Sequence, residues 1–209
     1  VLHPNSFIDD PTRLFRLIRY EQRYGFQIAP ETLALIPDAI AGIALLSAER
    51  VRHELDLVLE EENAEGMLQH MAELDMLESV HTALAWNKGA ARRFLLAKRL
   101  SKADKEQLSR TRFGWTLWLM DIPKNELMSI DKRLHFDVHS REILLGASYL
   151  WAKRYSLKGK KPSAIVAQLE GIPLGAICSV ALACPAGAVR DNLINYLETW
   201  RHVRSKTNG

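Results

Sequence analysis

Apolar side chains return at three- and four-residue steps through much of this 209-residue chain. Leu14, Leu17 and Ile18 do so, as do Val51, Leu55, Val58 and Leu59, and again Val189, Leu193, Tyr196, Leu197 and Trp200. That period lays one apolar stripe along a helix and leaves its other faces to solvent. Eleven glycines and eight prolines, set among many Leu and Ala, favour helix over sheet. The expected fold is all-α, with roughly nine to twelve helices. No apolar run approaches the roughly 18 residues needed to span a bilayer, and no signal peptide is present. Membrane partners are therefore not expected. Cys178 and Cys184 are the only cysteines and make no zinc or disulfide framework, so a reducing, cytoplasmic compartment is expected.

Local punctuation divides the chain. Asp10 and Pro11 suit a helix start, because a carboxylate caps the positive end and proline lacks the N–H that would go unpaired there. The helix they open is expected to reach Tyr24 and to end at Gly25. Pro30 starts a short helix that Pro37 stops or interrupts. Ser47 caps a longer one running to about Glu61. Residues 64–84 supply one or two more, with Met67, Leu68, Met71, Leu74, Met76 and Leu77 as core candidates. Trp86-Asn87-Lys88-Gly89 reads as a loop, and a domain change is expected there. The aromatic stretch Phe113–Met120 is expected in the core rather than stacked on RNA bases. Asp137 caps a helix running to about Tyr155. Residues 163–170 and 173–183 are two short helices, the second apolar all round and so buried, and a last helix runs from Pro185 to about Arg204.

Two kinds of chemistry stand out. On the first helix Arg13, Arg16, Arg19 and Arg23 gather on one arc behind the acidic cap. Guanidinium forks can bind phosphates and read a base edge, while Asp10 offers only acceptors. The plain alternative is a solvated helix face. Further on, Arg92, Arg93, Lys98, Arg99, Lys102, Lys105, Arg110 and Arg112 cluster with few acidic neighbours, and Lys158-Gly159-Lys160-Lys161 forms a basic loop. Phosphate contact needs positive charge more than shape, so these are candidate RNA-backbone surfaces. A net charge of +3 allows such a partner without demanding it. His135 and His139 share a four-residue spacing, but the break at Phe136-Asp137 and the lack of a third ligand argue against a metal site or a metal hydrolase.

The stretch Ser6-Phe7-Ile8-Asp9-Asp10-Pro11-Thr12-Arg13-Leu14-Phe15-Arg16-Leu17-Ile18-Arg19-Tyr20, followed by Gly25-Phe26, resembles the bacterial tRNA nucleotidyltransferase and poly(A) polymerase family. So does Leu46-Ser47-Ala48-Glu49-Arg50-Val51-Arg52-His53-Glu54-Leu55, which is similar to that family's neck motif. The resemblance implies an elongated array with a neck over residues 1–85 and an RNA-binding body over 86–209. It implies that Asp10 and Arg13 hydrogen-bond the base of an incoming ATP or CTP, that Arg16 and Arg19 help hold the nucleotide, and that Glu49 and Arg50 brace them. Read as residues, Glu49, Arg50, Glu54 and Asp56 on this helix invite either bracing of the nucleotide-binding helix or simple ion pairing on the helix face. Asp9 stands where the family usually has Glu. RNA contact is expected from Arg92, Arg93, Lys98, Arg99, Lys160 and Lys161. The implied whole enzyme adds CMP or AMP to the 3′ end of tRNA or another RNA, with Mg²⁺ held by paired carboxylates of a catalytic head. No such carboxylate pair occurs here. Both chain ends read as cuts, so the expectation is a fragment without catalytic residues, metal or cofactor, inactive alone. A non-catalytic helical scaffold using only the basic patches is the alternative.

Overall fold

A computed structural model describes residue 3, residues 5–98 and residues 109–203, with only the backbone of Lys98. Among them the secondary structure is entirely helical. The contacts divide the chain into two units, residues 1–91 with 125–136 and residues 92–124 with 137–209.

The first unit begins with a single turn, α1 (Ser6–Asp9), and then α2 (Thr12–Tyr24). The Asp10 carboxylate accepts from the Thr12 N–H at 3.2 Å and from the Thr12 hydroxyl at 2.7 Å, which satisfies donors that the helix start leaves open. Gly25 ends α2 at φ 66°, a left-handed conformation that costs a glycine little. Two short helices follow, α3 (Pro30–Leu33) and α4 (Ile36–Ile40), then a 3₁₀ turn over Ala41–Leu45. Pro37 lies in the first turn of α4, so it opens a helix where a stop or an interruption was expected. Ser47 caps α5 (Ala48–Leu59), its hydroxyl accepting the Arg50 N–H at 3.4 Å. The stretch after it divides into α6 (Ala64–Glu73) and α7 (Met76–Val80) at Asp75, which sits at φ 57°. Met67, Leu68, Met71, Met76 and Leu77 fill the core here, while Leu74 is half-buried. Helix α2 packs on α5 and α6.

The expected loop at Trp86–Gly89 is shorter than that. Asn87 accepts the Ala90 N–H at 2.8 Å and starts α8 (Lys88–Lys98). After α9 (Arg110–Leu119), in the second unit, α10 (Lys124–Leu134) returns to the first. Leu127, Ile130 and Leu134 are buried. The Arg133 guanidinium donates to the carbonyls of Val80 and Ile43, both at 3.2 Å, and Arg52 donates to that of Leu134 at 3.1 Å.

The second unit is centred on α11 (Val138–Lys153) and α13 (Leu174–Ala183), with α9 and α14 (Ala188–Glu198) against α13. Asp137 caps α11 through the Ser140 N–H at 2.9 Å. A side chain at Gly175 would put its Cβ 2.8 Å from Ile143 Cδ1, so this glycine is what lets α11 and α13 lie close. Trp115 and Trp118 stack at 5.3 Å between ring centroids and are buried, which places the aromatic stretch in the core as expected. A 3₁₀ turn over Arg154–Leu157 and helix α12 (Pro162–Leu169) lie between α11 and α13. The last helix starts at Ala188 and ends at Glu198, shorter than expected at both ends, with a 3₁₀ turn over Trp200–His202 behind it. No helix among the described residues is long and apolar enough to cross a membrane.

Candidate functional site

The α1–α2 junction and α5 together build a charged cluster in the first unit. Asp10 lies at its centre. Its Oδ1 accepts from Arg50 Nη2 at 2.8 Å, and its Oδ2 lies 3.9 Å from Arg13 Nε. Partial burial works against the carboxylate's charge, but the Thr12 donors and the Arg50 guanidinium outweigh it and hold its pKa below 3.8. Asp10 therefore presents a fixed anionic acceptor with two guanidinium groups beside it. Arg13 is further steadied by Ser6, whose carbonyl and hydroxyl oxygens both accept from Nη1. Arg13 and Arg50 keep about half of their side-chain surface exposed, so donors remain for a ligand.

Arg16 also faces solvent, with its Nε donating to Glu54 Oε1 at 3.3 Å. Arg19 does not. It is 8% exposed, its Nη1 donates to Glu54 Oε2 at 3.2 Å, and its Nε lies 3.6 Å from Glu61. The geometric reason is a one-residue turn of the arc: Arg19 follows Ile18 into the α2–α5 contact, where a charge survives only with partners. Arg23 donates to Glu61 as well.

Arg50 thus meets Asp10 as a brace would. Glu49 is placed otherwise: it is exposed, 3.5 Å from His135 Nδ1. Two carboxylates each hold two arginines: Glu54 holds Arg16 and Arg19, and Glu61, just past the end of α5, holds Arg19 and Arg23. The clue to Glu54 lies in its spacing, since it falls within the Val51, Leu55, Val58 stripe and so had to be buried. An acid inside an apolar stripe implies a cationic partner.

The predicted RNA-binding residues separate. Arg92 is exposed, as are Lys160 and Lys161. Arg93 is 3% exposed: Nε donates to the Leu117 carbonyl at 2.6 Å, and Nη2 to the Trp118 carbonyl at 3.1 Å and Asp121 at 2.8 Å. It caps the end of α9 from inside the second unit, so in this structure it presents no donor to a backbone phosphate. The Lys98 side chain, Arg99, Lys102 and Lys105 lie outside the described residues.

A magnesium site does not fit this cluster. Asp10 and Glu54 are both engaged by guanidinium groups, an arrangement that suits an anion or a polar base edge, and no three metal-ligating side chains gather among the described residues.

Residues 25–86 match the family described as the probable RNA and SrmB-binding site of polymerase A. The chain is 41% identical over 86 residues to an A-adding tRNA nucleotidyltransferase of Geobacter sulfurreducens, covering 40% of this chain and 10% of that protein. It is 44% identical over 77 residues to a multifunctional CCA protein of Teredinibacter turnerae, covering 34% and 19%. In fold, all of it superposes on a CCA-adding enzyme solved with ATP, at a TM-score of 0.78, 23% identity and 52% of that chain. It superposes equally on the Thermotoga maritima CCA-adding enzyme solved with tRNA, at 0.77, 22% and 53%. Part of the chain is thus similar in sequence to A-adding and CCA-adding tRNA nucleotidyltransferases, of which it covers a tenth to a fifth, and the chain spans about half the length of the solved enzymes that share its fold.

Proposed function

We propose that this chain is the nucleotide-selecting and RNA-binding part of a template-independent tRNA nucleotidyltransferase or poly(A) polymerase that adds CMP or AMP to RNA 3′ ends. The observation that carries the reading is Asp10 held between Arg13 and Arg50, an acceptor flanked by donors at the start of a helix whose Arg13 and Arg16 are exposed. A cytosine edge offers an exocyclic amine and a ring nitrogen, and an adenine edge does the same. One carboxylate beside one guanidinium answers either base. Arg50 and Thr12 keep Asp10 ionised and oriented, so its only free choice is which base it accepts from.

Arg16, exposed and steadied by Glu54, is the candidate for the triphosphate. Arg19 acts at one remove, as a counter-charge that fixes Glu54 and Glu61 between helices. RNA contact falls to Arg92, Lys160 and Lys161, and to Lys98 and Arg99. Nucleotidyl transfer through Mg²⁺ belongs to a catalytic head, so these 209 residues bind and select without catalysing, in a cytoplasmic enzyme.

The test is incorporation by the complete enzyme on tRNA ending before CCA, on tRNA ending before the final A, and on an unrelated RNA, each with CTP and ATP offered separately. Ordered addition of both nucleotides marks CCA addition. AMP on the second substrate alone marks A addition, and AMP on the unrelated RNA marks poly(A) synthesis. No incorporation on any of them would contradict the reading and favour a helical scaffold.

A further inference from the structure

The second unit carries an aromatic and cationic surface that the nucleotide-selecting cluster does not use. Where α11 gives way to its 3₁₀ turn, the Arg154 guanidinium lies 3.8 Å from the Trp151 ring centroid and 4.4 Å from that of Tyr155. The three groups form a tier. Trp151 is half-buried, while Tyr155, the outer member, is 66% exposed. The tier is held in place, since Arg154 Nη1 donates to the Trp151 carbonyl. Also on α11, Lys153 Nζ lies 4.7 Å from the centroid of Tyr149, which is exposed.

In sequence, the charge that flanks these rings has one sign. Residues 143–169 contain Lys153, Arg154, Lys158, Lys160 and Lys161 and no Asp or Glu. Lys160 is oriented by Gln168, which accepts from it at 2.6 Å and itself donates to Ser156 at 2.7 Å. An exposed ring backed by a cation, next to lysines with no nearby acid in sequence, suits a ligand that is planar and anionic at once.

Resting on the reading of this chain as RNA-binding, we propose that Tyr155, backed by Arg154 and Trp151, stacks an unpaired RNA base while Lys158, Lys160 and Lys161 contact the flanking phosphates. The surface is then selective for unpaired over paired RNA. A duplex offers phosphates to the lysines but keeps its bases stacked inside.

The experiment measures Kd of the 209-residue chain for a labelled single-stranded RNA and for a duplex of the same length, across a salt series. Tyr155→Ala should weaken single-strand binding about tenfold and leave duplex binding within about twofold. Tyr155→Phe, which keeps the ring, should bind as wild type does. Lys160→Ala with Lys161→Ala should weaken both RNAs and lower the salt slope for single strands by about 1.4. Circular dichroism melting of each variant confirms folding. Unchanged single-strand binding by Tyr155→Ala, or equal losses for single strand and duplex, overturns the stacking site while leaving RNA binding intact. Failure of the wild-type chain to bind either RNA overturns both this inference and the reading beneath it.

Discussion

At the scale of single residues, the cluster depends on buried or half-buried charges that each need a partner. Glu54 is 3% exposed and serves Arg16 and Arg19 together. Glu54→Gln leaves Arg19 buried beside a neutral amide, with Glu61 as its remaining counter-charge. The expected loss is about 3 kcal/mol of unfolding free energy, read from urea titration. Asp10 adds a pH dependence of known sign. Its pKa is lowered on folding, so its stabilising contribution is complete above the ordinary carboxylate value and disappears as pH falls through the lowered one. The stability gap between wild type and Asp10→Asn should therefore be largest near neutrality and close as pH drops below about 4. A gap that widened in acid would show that Asp10 is not held ionised by its neighbours. Arg19 and Arg93 show where residue types mislead. Both sit in basic runs, and both are buried because the phase of their helices turns them inward.

At the scale of elements, the local signals were readable wherever the physics is local. Ser47, Asp137 and Gly25 end or begin helices as their side chains, or the lack of one, dictate. Gly25 has open space around a would-be Cβ, so its φ of 66° alone opposes substitution. Gly25→Ala should cost about 1 kcal/mol in thermal or chemical unfolding, a strain effect without a clash. Pro37 and Lys88 were harder to place, since a proline can open or close a helix and a glycine at position 89 suggests a loop. What decided each was the neighbour: Pro37 falls in the first turn of α4, and Asn87 caps α8. Glu54 was within reach of the same reasoning, because its position in the apolar stripe of α5 signals burial. That it would hold Arg16 and Arg19, 38 and 35 residues away, was not.

At the scale of the whole molecule, the two units are interleaved in sequence, and no composition shift announces it. Residues 125–136 belong to the first unit, although they follow 33 residues of the second. Long-range bonds make that assignment, chiefly Arg133 to Val80 and Ile43, Arg52 to Leu134, and His81 to Ser129 at 2.8 Å. A chain cut after Ala91 would lose Leu127, Ile130 and Leu134 from the first unit's core, and should melt broadly by circular dichroism where the intact chain melts sharply. All-α class was legible from the period of the apolar residues, and the place of the charged cluster from the two motifs that bound it.

On the proposed reading, Asp10 and Arg13 choose the nucleotide while other surfaces hold RNA. The decisive variant is Arg13→Ala in the complete enzyme, with kcat/KM for CTP and for ATP measured alongside Kd for tRNA. The CTP-to-ATP ratio should change by about tenfold or more, with tRNA affinity within about twofold of wild type. A uniform loss of RNA affinity with an unchanged nucleotide ratio would contradict it.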